Sequence, residues 1–131
     1  MRRDRVLMVE RGREPLKGYW SLPGGVLHPG ELLQDGLRRE VREETGIEVK
    51  PLGVGEVFER LLRDSRGRLE YHYVLIDYLC RATGGRVRAA DDASCARWVP
   101  LADLDRYRIT EGTLDVIRRV VRRGRWGLLR A

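Results

Sequence analysis

The stretch Gly25-Val-Leu-His-Pro-Gly-Glu-Leu-Leu-Gln-Asp-Gly-Leu-Arg-Arg-Glu-Val-Arg-Glu-Glu-Thr-Gly-Ile47 decides how the rest of the chain is read. From about Glu31 to Thr45 its pattern is helical, with Leu33, Leu37 and Val41 recurring every four residues and Gly46 at the expected stop. At about 100° per residue, counted from Glu40, these three side chains fall near 20°, 60° and 100° and define a buried stripe. Glu44 falls near 40°, inside the stripe; Glu40 lies at its edge and Glu43 near −60° on the flank. A carboxylate turned toward a core costs several kcal/mol, on the order of 2–7, unless it has a partner. Arg39 to Glu43 is an i,i+4 pair that can fix one rotamer. Three converging carboxylates repel each other unless a cation neutralises them, and an oxygen-only set suits Mg²⁺ or Mn²⁺ rather than zinc. From the glutamates alone, a salt-bridged surface helix explains the pattern equally well.

The preceding loop separates those readings. Leu22-Pro23-Gly24-Gly25 ends an extended piece, and paired glycines let backbone carbonyls and amides approach a ligand. Read through Ile47, the spacing is G-x5-E-x7-R-E-U-x-E-E-x-G-U, with U a bulky aliphatic residue. The chain thereby resembles the Nudix hydrolase family at every fixed position of its box. Looser similarity covers Val6-Leu7-Met8-Val9, Trp20-Ser21-Leu22-Pro23 and Arg97-Trp98-Val99-Pro100-Leu101.

The resemblance implies an α/β/α sandwich with a mixed central sheet and divalent-metal-dependent hydrolysis of a pyrophosphate bond in a nucleoside diphosphate derivative. By overall similarity, ADP-ribose or a related nucleotide sugar is the expected substrate. Carried onto this chain, Glu40 and Glu44 are the principal ligands of Mg²⁺ or Mn²⁺. Glu43 is a third, directly or through water, and the Gly25 carbonyl contributes to the same ion. Arg39 orients Glu43, and Glu31 braces the loop–helix junction. The general base is a box glutamate or an acid on a later loop, where Asp91-Asp92 lie and Asp92 is preferred. Phe58 and Arg60 are candidates for the nucleotide pocket. The alternatives are removal of pyrophosphate from RNA 5′ ends and a nonenzymatic nucleotide-sensing domain.

Outside the box, Arg5 to Val9, Gly18 to Leu22, Val54 to Leu62, Leu69 to Cys80 and Arg97 to Val99 read as strands. Asp64-Ser65-Arg66-Gly67 reads as a hairpin turn. Pro100 to Leu104 is a turn or short helix, and Thr110 caps a last helix that Gly124 ends. Strands on both sides of a helix indicate a layered α/β domain. The 131 residues suit one domain, with the edge strand before Val6 short or missing.

Composition narrows the remaining classes. Hydrophobic residues make up 42% and charged residues 35%, enough to fill a core and against a disordered tail. No apolar run reaches the roughly 18 residues of a membrane span, and two cysteines, Cys80 and Cys95, make no disulfide framework. A cytoplasmic protein without membrane contact is therefore expected. The formal net charge of +6 is almost entirely arginine, which favours phosphate-bearing ligands but equally describes a solvated surface. No groove-reading nucleic-acid motif is present. A homodimer that completes the sheet or pocket is the remaining partner expected. Trp20 and Trp98 are assigned to the core, His72 to strand packing, and His28 to an exposed loop.

Overall fold

The computed structural model describes residues 4–88 and 93–122. The described elements run β1 (Arg5–Arg11), β2 (Trp20–Ser21), α1 (Leu33–Thr45), β3 (Ile47–Arg63), β4 (Leu69–Gly85), β5 (Ala93–Pro100), a 3-10 helix (Leu101–Arg106) and α2 (Thr113–Arg122). β1 is the centre of a three-stranded antiparallel sheet, β2-β1-β5, and β3 and β4 form a long antiparallel hairpin. A parallel bridge between Trp20 and Ile109 adds the parallel component to the β2 edge.

Alternation along β1 divides the core into two layers. Val6 and Met8 pack with Trp20, Val99, Leu104 and Ile117, toward α2 and the 3-10 helix. Leu7 packs on the other side with Val41, Ile47 and Val49, toward α1. The hairpin repeats the division. Cys80 and Ala82 join the α1 layer, whereas Leu79 meets Val116 and Val120 of α2. Helices thus cover opposite faces of the sheets, which is the expected α/β/α sandwich.

Gly46 ends α1 in the left-handed conformation (φ 78°), its N–H donating to the Arg42 carbonyl. Thr45 is fully buried. Its hydroxyl donates to the Val41 carbonyl (2.6 Å) and accepts from the Ile47 N–H (3.1 Å), coupling the helix end to β3. The C-terminal turn, which carries Glu44, is therefore anchored from both sides.

Trp20 and Trp98 are structural. Trp20 is buried, edge-on to Tyr107 with ring centres 5.0 Å apart, and Trp98 packs into the α1 layer. His72 lies on the face opposite Tyr71 and Tyr73 and bonds Glu59 at 2.7 Å.

One carboxylate breaks the core pattern. Asp77 faces α2, directly across the hairpin from Glu56, and its Oδ2 is buried with no hydrogen-bond partner among the described residues. Burial, reinforced by Glu56 and opposed by Arg60, pushes its carboxyl up from 3.8 to about 6. A raised acid pKa means that the folded state binds the proton more tightly. The penalty is absent below about pH 4 and complete above about pH 6. Asp77→Asn is accordingly expected to raise stability by on the order of 1–3 kcal/mol at pH 8. Urea denaturation at pH 8 and pH 4 checks this: the gain should vanish at pH 4, and no gain at pH 8 would show that the charge is compensated.

Candidate active site

The candidate site forms where the loop after β2 folds back on α1. Arg39 organises it. Its Nε donates to Glu31 Oε2 (2.6 Å) and its Nη2 to Glu31 Oε1 (2.9 Å), a bidentate pair in which both side chains are 15% exposed. The same Nη2 reaches the Val26 carbonyl (3.3 Å). Nη1 donates to Glu40 Oε1 (2.9 Å) and to Glu43 Oε2 (3.0 Å). One guanidinium therefore ties the loop to two of the three box carboxylates. The Arg39–Glu43 contact spans the i,i+4 spacing, and the same guanidinium also reaches Glu40, which that spacing did not indicate.

Glu31 also accepts the His28 N–H (3.0 Å), so it holds both the loop backbone and the arginine. Arg39 and that N–H hold its carboxyl down at about 2, and the carboxylates of Glu31 and Glu40 in turn raise the Arg39 guanidinium further above its ordinary value. Because this pKa is depressed, the brace is fully charged above about pH 4.5 and is lost only as pH falls toward 2.

Glu44 is 8% exposed, as its place in the apolar stripe predicts, and its Oε2 accepts the Gly24 N–H at 3.4 Å. Leu33, assigned to the same stripe, is 42% exposed because it begins the helix, beyond the strands that cover Leu37 and Val41. Gly25 lies against the Glu40 carboxylate: a Cβ there would sit 2.6 Å from Glu40 Cδ and Oε2. The paired glycines thus press the loop backbone onto two carboxylates, Gly24 on Glu44 and Gly25 on Glu40.

This donor set fits a hard divalent cation. Every donor is oxygen, one carboxylate is buried against the helix, and the Gly25 backbone borders another with no side chain between. Among the described residues no three His, Cys, Asp or Glu side chains come together closely enough to hold a metal ion by themselves. Magnesium does not require three, since it keeps several waters and takes one or two carboxylates plus substrate phosphate.

The other predicted site residues lie elsewhere. Arg60 is directed to the N-terminus of α2, donating from Nε to the Glu111 carbonyl (3.1 Å) and from Nη2 to the hydroxyls of Thr110 (3.3 Å) and Thr113 (3.1 Å). Phe58 packs against Val116 and Val120, with the Arg60 guanidinium 5.6 Å from its ring centre. A covalent thread links this corner to the carboxylates: Thr110 N–H bonds the Trp20 carbonyl (2.9 Å), and Gly24 follows four residues later. Asp91 and Asp92 lie outside the described residues, as do Arg123, Gly124 and Arg125.

Sequence reasoning passed over Val26, whose carbonyl joins the Arg39 network, and Asp77. A backbone acceptor leaves no trace in composition. Asp77 did leave one: a carboxylate inside the apolar run Val74-Leu75-Ile76-Asp77-Tyr78-Leu79.

Comparison with known proteins agrees with this geometry. A family model described as a NUDIX domain matches residues 1–120. The ADP-ribose pyrophosphatase of Methanocaldococcus jannaschii is 34% identical over 101 residues, a match covering 77% of this chain and 57% of that protein. Among solved structures, the MutT NUDIX hydrolase from Burkholderia pseudomallei superposes with a TM-score of 0.77 at 29% identity, covering 92% of this chain and 91% of that one. The NUDIX domain of Shewanella oneidensis NrtR, solved with ADP ribose, has a TM-score of 0.71 at 26% identity, covering 91% of this chain and 77% of that one.

Proposed function

Since this chain belongs to the Nudix family, we propose that it hydrolyses the pyrophosphate bond of a nucleoside diphosphate derivative, with ADP-ribose or a similar nucleotide sugar as substrate. The observation that carries this reading is the placement of two carboxylates on the paired glycines: Glu44, 8% exposed, on the Gly24 N–H and Glu40 against Gly25. A buried acid with that neighbour makes physical sense as half of a cation site.

In this proposal Glu40 and Glu44 hold Mg²⁺ or Mn²⁺, with the Gly25 carbonyl beside them and Glu43 joining directly or through water. The ion, when bound, supplies charge neutralisation for the pyrophosphate and acidifies water held near it. Arg39 keeps one oxygen each of Glu40 and Glu43 occupied and leaves their other oxygens clear of its guanidinium. Glu31 fixes Arg39, and so the spacing of the carboxylates stays constant while substrate enters. The proton of the attacking water passes to a box glutamate or to Asp92. Arg60 and Phe58, at the N-terminus of α2, offer a cation and a ring for the nucleoside end.

The ADP-ribose preference rests on likeness to the Methanocaldococcus jannaschii enzyme and to the ADP-ribose-bound domain. Recognition of RNA ends draws less support, because two cations of the basic helix are already paired, Arg118 with Asp105 (2.7 Å) and Arg119 with Glu56 (3.0 Å). Incubation with ADP-ribose, NADH, diadenosine polyphosphates, oxidised nucleoside triphosphates and 5′-triphosphorylated RNA, each with Mg²⁺, tests the assignment. We expect fastest turnover of ADP-ribose to AMP and ribose 5-phosphate. Faster turnover of another small nucleotide would replace the substrate. Turnover of RNA alone, weakening steeply with salt, would favour the RNA reading, and binding without turnover would favour a sensor.

A further inference from the structure

The outward face of the β3–β4 hairpin is apolar where no element among the described residues covers it. From Ala82 to Tyr71 every residue of β4 is paired in succession, the extra residues falling on β3 beside Pro51 and Val54. Even-numbered residues of β4 therefore share one face and odd-numbered ones the other. Leu79, on the odd face, lies under α2, while Cys80 and Ala82, on the even face, lie under α1. Beyond α1 the even face continues as the opposed pairs Val54/Tyr78, Val57/Ile76, Glu59/Val74 and Leu61/His72. There Val54 is 50% exposed, Val57 55%, Leu61 48%, Val74 63% and Ile76 39%. An antiparallel sheet with one face in water ordinarily alternates polar residues outward. This hairpin does the reverse.

We propose that this face is a twofold interface with a second copy of the same chain. Charge is the first reason. The chain carries a formal +6, so two copies repel unless they meet where no uncompensated cation stands. The charged groups among these four pairs are Glu59 and His72, already bonded to each other at 2.7 Å. An acidic partner would find nothing here to attract it, whereas an identical apolar face is self-complementary, as a twofold contact requires.

Area is the second reason. The five exposed aliphatic side chains present on the order of 400 Å² of apolar surface, within the roughly 300–600 Å² range in which a monomer's largest patch is often functional. Two copies would bury about 800 Å² from these residues alone, and Tyr78, His72 and Glu59 at the rim bring the total to roughly the 1,000–1,200 Å² lower limit of a specific interface. The same face carries α1 lower down, so the partner would abut the layer that presents the box carboxylates.

Sedimentation equilibrium of the full chain from about 1 to 100 μM, with and without Val57→Glu plus Val74→Glu, tests the proposal. We expect the unaltered chain to sediment at twice the monomer mass and the double variant at the monomer mass, with unchanged far-UV circular dichroism. Should the double variant unfold, Val57→Gln, which adds no charge, should still weaken the dimer at least tenfold. A monomer at every concentration would overturn the proposal and leave the face to some other apolar partner. A dimer indifferent to folded forms of these substitutions would overturn it equally, by placing the contact elsewhere.

Discussion

Glu44→Gln is expected to abolish metal-dependent hydrolysis without harming the fold. Glu44 lies in the apolar stripe of α1, 8% exposed, against the Gly24 N–H. Glutamine fills the same space and can still accept that bond, so packing is conserved while the negative charge is lost. Outer-shell partners of metal ligands cost about 10–100-fold on removal, and a direct ligand should cost at least the upper end of that range. Stability should move the other way. Without metal, a buried carboxylate is a burden, so the variant should melt at the same temperature as the parent or higher. Steady-state rates with Mg²⁺ and a metal-free thermal melt give both numbers. Full activity would remove Glu44 from the site, and a collapsed melt would reduce it to a structural acid.

Gly25→Ala should separate geometry from charge. A methyl group at this position would meet the Glu40 carboxylate at 2.6–2.8 Å, closer than atoms pack. The obstruction is the far end of a flexible side chain, so the fold can yield at little cost. What yields is the carboxylate, moved off the loop backbone and out of the 2.9 Å bond that Arg39 Nη1 donates to its Oε1. We expect near-parental stability with kcat/KM reduced by on the order of 10²-fold, the scale on which a displacement of about 1 Å acts. Raising Mg²⁺ or Mn²⁺ should recover part of the loss if the defect is in metal affinity. Parental activity would show that Glu40 is not seated by Gly25.

These predictions depend on side chains that the sequence alone already singles out. The box helix was legible because Glu44 occupies an azimuth reserved for apolar residues, which is costly unless the acid has a partner. The brace was legible only in part. Spacing linked Arg39 to Glu43, but a guanidinium has five donors, and its bonds to Glu31, Glu40 and the Val26 carbonyl depend on how the loop folds back.

The hairpin was under-read for a different reason. Pro51, Gly53 and Gly55 look like breakers, so the strand appeared to start at Val54, whereas β3 runs from Ile47 to Arg63. The pairing register shifts at Pro51/Gly53 and Val54/Glu56, so these residues sit at bulges that bend the strand rather than end it. Nor could periodicity show which face of Val74-Leu75-Ile76 is covered. A run apolar on both sides does not say whether its second cover is a helix of its own chain or a partner. The short β2 was over-read, because Gly18 sits in a turn with φ 87° and the ladder to β1 pairs only Trp20 and Ser21.

On the proposed function, Glu40 and Glu44 of α1 lie against the paired glycines because they hold a divalent cation there. Titration of the protein with Mn²⁺, followed by the loss of the free-ion electron paramagnetic resonance signal, addresses this directly. One Mn²⁺ displaced by Mg²⁺ in the parent, and binding weakened at least tenfold in both Glu40→Gln and Glu44→Gln, is the predicted result. Equal Mn²⁺ affinity in the parent and both variants would contradict it, leaving those acids as ion-pair partners of Arg39 and the loop.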